Sequence, residues 1–147
     1  MKKSPIELYF DVLASVARAD GRVSPEESAL VRNAAVAAGL SSDALSGLER
    51  RLDIQEPFSL DEALAEAAPM MNASTAAETL RDAYVLATAD NQIVRAEIAV
   101  IDRFLAHLGI AEEQRPALHE WARRAAEHHL DGLALLAEVW PSTALCK

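Results

Sequence analysis

Apolar residues recur along most of the chain at the three- and four-residue spacing of a helix face. Nowhere do they alternate with polar residues over the length of a strand. Ile6, Tyr9, Phe10, Leu13, Val16 and Ala17 make the first stripe, and Ser4-Pro5-Ile6-Glu7 opens it well. Serine can cap, proline suits the first helical position, and a glutamate three residues after the cap can close a capping box. Ser24-Pro25-Glu26-Glu27 starts a second helix with the same grammar, and Gly39 ends it where a left-handed residue fits. Shorter helices are predicted over about 43–52 and 60–68, the latter opened by Ser59 and stopped by Pro69. A helix over about 75–89 places Leu80, Ala83, Tyr84 and Ala87 on one face. The next, over about 94–108, buries Ile98, Ile101, Phe104, Leu105 and Leu108 and ends at Gly109. After Pro116, Leu118, Trp121, Ala122 and Ala125 form another stripe, with Trp121 expected in the core. A separate short helix is predicted over about 131–140, ended by Pro141. The expected fold is all-α, a compact bundle of about seven or eight helices with no sheet.

The chain repeats itself. Laid on one another without a gap, ARADGRVSPEESALVRNAAVAAGL (17–40) and ATADNQIVRAEIAVIDRFLAHLGI (87–110) match at Ala17/Ala87, Ala19/Ala89, Asp20/Asp90, Glu27/Glu97, Ala29/Ala99 and Gly39/Gly109. Val23 lies on Ile93, and Gly21 on Asn91, the other residue that tolerates a left-handed backbone. Each copy reads as a helix, an Ala-Asp corner, a β-branched plug and a second helix with glutamate in its first turn. The bundle should therefore be built around two pseudo-symmetric helical hairpins. Ala34, Ala35 and Ala38 stand where the second copy has Phe104, Leu105 and Leu108, an exchange of small for large expected to fill one core.

The corners raise a question of chemistry. Asp-Gly-x-Val-x-x-x-Glu has the spacing of the second half of an EF-hand loop, but the first half is missing: the positions that must supply oxygen are Val16 and Arg18, or Leu86 and Thr88. In the first copy a turn glycine, a capping serine and a box glutamate explain the pattern without a metal. In the second, Val94 replaces the cap while Asp90 and Glu97 persist. If the corners meet, Asp20, Glu27, Asp90 and Glu97 would offer clustered carboxylates, whose repulsion a divalent cation such as Ca²⁺, Mg²⁺ or Mn²⁺ would relieve.

The doubled corner, each copy closing on Gly-Leu or Leu-Gly-Ile, resembles the tellurite-resistance TerB-like family. The resemblance covers residues 17–40 and 87–110. It implies a compact all-α domain, bacterial and mostly intracellular, associated with tellurite and stress resistance. It also implies metal binding by acidic residues, which here are Asp20, Glu27, Asp90 and Glu97. Asn91 and Val94 depart from the pattern in the second copy.

Composition narrows the rest. A chain of 147 residues suits one domain, 1–147, able to bury roughly 70% of its unfolded surface. A formal net charge of −9 disfavours nucleic acid, and the pairs Arg50-Arg51 and Arg123-Arg124 read as solvated helix surface. The single cysteine, Cys146, excludes an intrachain disulfide. Glu7 and Asp11 interrupt any signal-peptide core, so a cytoplasmic protein without a membrane span is expected. His128-His129 read as favourable charge near a helix end, and Met70-Met71 as flexible core filling rather than partner surface. No nucleophile elbow or phosphate loop occurs. The expectation is a non-enzymatic binding or scaffolding module with a protein partner and, as its cofactor, a divalent cation. The alternative is a helical protein–protein interaction domain with no metal.

Overall fold

The computed structural model describes residues 4–19, 21–55, 58–88 and 95–141. These form seven α-helices and no strand: α1 (Pro5–Ala17), α2 (Pro25–Ala37), α3 (Ser42–Leu52), α4 (Leu60–Ala67), α5 (Ala73–Ala87), α6 (Arg95–His107) and α7 (Arg115–Val139). Single 3-10 turns, Ala68–Met70 and Glu112–Gln114, precede α5 and α7. The sequence pattern of capping is realised at the helix starts. Ser4 and Ser24 each close a full capping box with the glutamate three residues on, and Asn72 does so with Thr75. Gly39 and Gly109 end α2 and α6 at φ +81° and +84°.

Two hairpins, α1–α2 and α5–α6, are related as the repeat requires. α1 packs on α5 at the centre, and the cross-packings α1 on α6 and α2 on α5 correspond. α3 covers α1 and α2, and the first half of α7 covers α5 and α6 in the same sense. α4, which has no counterpart, fills the space between α1 and α6.

Four details depart from the sequence reading. First, α1 is not a half-buried amphipathic helix. Phe10 to Ala17 are all buried, including Asp11 and Ser15, because α1 touches α2 through α6. Ile6, at its open end, is exposed. Second, the helices predicted on either side of His128-His129 are one. Gly132 costs a helix only about 1 kcal/mol, and the surrounding Ala, Leu and Glu favour continuation. The two histidines therefore lie within α7 rather than at its end, so the helix dipole does not account for them. Third, Trp121 is 46% exposed and not in the core. Its neighbours on α7, Ala122 and Ala126, take the buried side, because small side chains let α7 lie close on α5. Fourth, Ile98 is only partly buried, and Glu97 and Val100 are buried instead.

Candidate functional site

The first corner is built as a capped turn. Gly21 has φ +81°, and its N–H donates to the Arg18 carbonyl at 3.0 Å. The Glu27 N–H donates to Ser24 Oγ at 3.1 Å, and the Ser24 N–H donates to Glu27 Oε1 at 3.0 Å. These cap terms contribute about 1–2 kcal/mol. Glu27 is buried, 6% exposed, under its own helix start. Arg18 crosses from the corner to the α3 end, where its guanidinium donates to the Arg51 carbonyl at 3.0 Å and lies 5.2 Å over the Phe58 ring. Arg51, read from sequence as solvated, pairs through Nε with the buried Asp11 carboxylate at 2.9 Å.

At the second corner, Glu97 takes the position of Glu27 in the first turn of α6 and is more deeply buried, at 2% exposure. Its Oε2 has no contact with solvent. Asp20 and Asp90, with residues 91–94, lie outside the described residues. Of the four acids read as cation ligands, the structure thus places two, each at the start of the second helix of its hairpin. Among the described residues no three His, Cys, Asp or Glu side chains gather as a metal would require.

A different feature stands out between α1, α2, the Ala68–Met70 turn and α5. There a cleft of about 460 Å³ opens, walled by Ile6 and Phe10 of α1, Ala34 and Ala38 of α2, and Met70 and Met71. Small side chains of α2 line it, and a comparable hollow of about 400 Å³ lies beside Leu105 and Leu108 in the second copy. Ala35 and Leu105 are both buried, whereas Ala34 and Ala38 face the cleft at the positions that Phe104 and Leu108 take in the second copy. The expectation that small and large residues fill one core holds in part: Ala35, Phe104 and Leu105 are buried in the same core and Ala34 and Leu108 pack against it, while Ala38 is exposed. α2 packs chiefly against α1, α3 and α5. Met70 is half exposed at the cleft, whereas Met71 is partly buried and packs against the core, so core filling describes Met71 and not Met70.

The polar edge of the cleft is fixed. Tyr9 donates its hydroxyl to Asp82 Oδ2 at 2.5 Å, and the Arg81 Nε–H donates to the other oxygen at 3.0 Å. Burial and then the bond to Asp82 push the Tyr9 phenol well above its ordinary range. Glu78, one turn before Asp82, is exposed at the rim. The apolar wall with an acidic edge was legible only in part: the alanine substitutions are visible in the repeat, but the meeting of Tyr9 and Asp82 is a tertiary event.

A second polar group escaped the sequence reading. The Tyr84 hydroxyl lies 2.6 Å from His119 Nδ1, and His119 Nε2 lies 2.9 Å from Asp102 Oδ1. With Nε2–H donating to the carboxylate, Nδ1 accepts from the phenol. Arg115 completes the cluster, donating to Asp102 Oδ2 at 3.1 Å and to the Ile110 carbonyl at 3.2 Å. Tyr84 is 3% exposed, so this chain of bonds clamps α5, α6 and the start of α7 together. Burial pushes Asp102 up, but the hydrogen bonds from His119 and Arg115 outweigh it and hold the carboxyl below its usual range. Burial, then the Asp102 charge, raises Tyr84.

Comparison with protein-family models, with curated proteins and with solved structures finds no match. Among the described residues no helix is long and apolar enough to cross a membrane.

Proposed function

We propose that the chain is a non-enzymatic interaction module of the TerB-like kind, which holds a helix of a protein partner in the cleft between α1, α2 and α5. The carrying observation is the cleft itself: apolar walls that include two adjacent methionines, with an acidic rim. Methionine adapts its shape to different side chains, which suits a surface that receives one. Glu78 at the edge, on a chain of net charge −9, favours a partner helix that sets Lys or Arg beside its apolar anchors.

The test uses two amphipathic helical peptides with the same apolar face, one basic and one acidic on the polar face. Fluorescence anisotropy should show the basic peptide binding at least about tenfold more tightly, a difference near 1.4 kcal/mol. Ala38→Leu, which restores the bulk found at Leu108, should weaken that binding about tenfold without lowering the melting temperature. Equal binding of both peptides, or binding indifferent to Ala38→Leu, would overturn the reading.

A second reading keeps the cation. Its support is the placement of Glu27 and Glu97 as buried carboxylates at equivalent positions of the two corners, as a pseudo-symmetric site would require. Here Asp20, Glu27, Asp90 and Glu97 would supply the oxygens. Calorimetric titration of Ca²⁺, Mg²⁺ and Mn²⁺ into metal-free protein should give heat that the Asp90→Ala/Glu97→Ala variant lacks. Absence of heat in the unaltered protein removes this reading and leaves the cleft untouched. The associated role in tellurite or stress resistance rests on the sequence resemblance.

A further inference from the structure

α7 is longer than anything it packs against. Its 25 residues span ~37 Å, against ~22 Å for the 15 residues of α5. Its buried residues, Ala122 and Ala126, lie in the first half. Beyond them Leu133, Leu135, Leu136, Val139 and Trp140 are each more than half exposed. Such a segment is not helical in water on its own merits, since a short helix gets most of its stability from a packed apolar face.

The exposed residues are ordered. From Trp121, the positions Ala125, Gly132, Leu136 and Val139 follow at helical steps along one side, and Leu133 and Trp140 widen that side. Glu127, Asp131 and Glu138 fall on the opposite side at the same spacing. The free end is therefore a broad, mostly apolar face backed by acids, with His128 and His129 on the same side at its inner end. Gly132 leaves a notch in it: a Cβ there would meet nothing within 4 Å.

We propose that this face joins two copies of the chain, α7 against α7, antiparallel about a two-fold axis near Ala134. Three observations select a second copy. Five side chains more than half exposed leave on the order of 500 Å² of apolar surface per copy, and a pair reaches the ~1,000 Å² a specific interface needs. A two-fold near Ala134 sets the partner's Leu136 over Gly132, and Gly132 under it in return, so knob and notch are self-complementary. The acids of the free end, Glu127, Asp131 and Glu138, point away from the seam in both copies, so two acidic chains meet without these like charges in contact. The proposal is independent of the cleft, which lies on the α1–α2 side of α5.

Sedimentation velocity of the full chain tests it. From about 1 to 100 µM the mass should pass from 15.9 kDa to twice that value. Raising the salt from about 0.15 to 0.5 M should leave the dimer intact or tighten it, because salt screens the repulsion between the acidic copies. Leu136→Lys/Val139→Lys should remain a monomer throughout with an unchanged circular dichroism spectrum. Gly132→Leu, which fills the notch and adds no charge, should weaken association at least about tenfold. A monomer at 100 µM, a dimer that survives Leu136→Lys/Val139→Lys, or one that dissociates in the higher salt would each overturn the proposal.

Discussion

Asp11 and Arg51 meet at 2.9 Å across the α1–α3 packing, with the carboxylate side chain 2% exposed and the guanidinium 23%. The pair secures the helix that every other early element touches. Ser15 Oγ donates to the Asp11 carbonyl at 2.8 Å, and the Arg51 carbonyl accepts from Arg18, so the contact ties the first corner to the core. Removing one partner of such a pair leaves a charge without its main compensation, whereas replacing both by apolar groups is far milder. Arg51→Met should therefore cost about 3 kcal/mol in urea unfolding. Arg51→Met/Asp11→Leu should cost less than the single change, and a double variant as unstable as the single one would contradict this account.

Asp102 predicts an acid limb. Its folded pKa lies below the unfolded value, so its contribution is full above about pH 4 and is lost as pH falls through the folded pKa. The side chain is 41% exposed, which limits the size of the effect but not its sign. The melting temperature should fall more steeply below about pH 4 in the unaltered protein than in Asp102→Asn. Parallel curves would remove Asp102 from the acid response.

Much of the fold was legible because it rests on local chemistry. Ser4, Ser24 and Ser59 cap where the sequence placed them, Gly39 and Gly109 close their helices, and the repeat foretold the paired hairpins. What was not legible depends on neighbours far along the chain. A stripe on α1 cannot say that five other helices will surround it, so the burial of Asp11 and Ser15 was not foreseen. Trp121 and Ala122 are adjacent, and only the approach of α5 decides which of them is buried. The candidate site divides the same way. Glu27 was read correctly as a box residue, while the cleft required knowing that Ala34 and Ala38 face Ile6 and the methionines.

The two tyrosines predict an alkaline signature. The chain has only Tyr9 and Tyr84, and both phenols are raised, each first by burial. A phenol whose folded pKa is raised stays protonated in the native state, so stability is lost once pH passes the unfolded value near 10. Phenolate absorbance at 295 nm should stay low through about pH 10 and then rise together with loss of helical circular dichroism. A smooth titration near pH 10 with the helix signal intact would place both phenols in ordinary surroundings, against the Tyr9–Asp82 and Tyr84–His119 contacts.

Two glycines should respond in opposite directions to the same substitution. Gly132 lies within α7, and a Cβ there is unobstructed, so Gly132→Ala removes only the entropy penalty of glycine. It should stabilise the protein by about 0.5–1 kcal/mol, a rise of roughly 2–4 °C in melting temperature. Gly109 is equally open, but its φ of +84° belongs to the left-handed region that ends α6. There the Cβ meets the chain's own carbonyl, and Gly109→Ala should destabilise by about 1–2 kcal/mol. Space around the site is the same in both, so the sign is decided by backbone conformation alone. Thermal unfolding of the two variants followed by circular dichroism at about 1 µM, where the chain is a monomer, and at one pH measures it. A stabilising Gly109→Ala would mean that α6 does not end in a left-handed turn. A destabilising Gly132→Ala would mean that α7 is broken at the glycine into the two helices its sequence suggests.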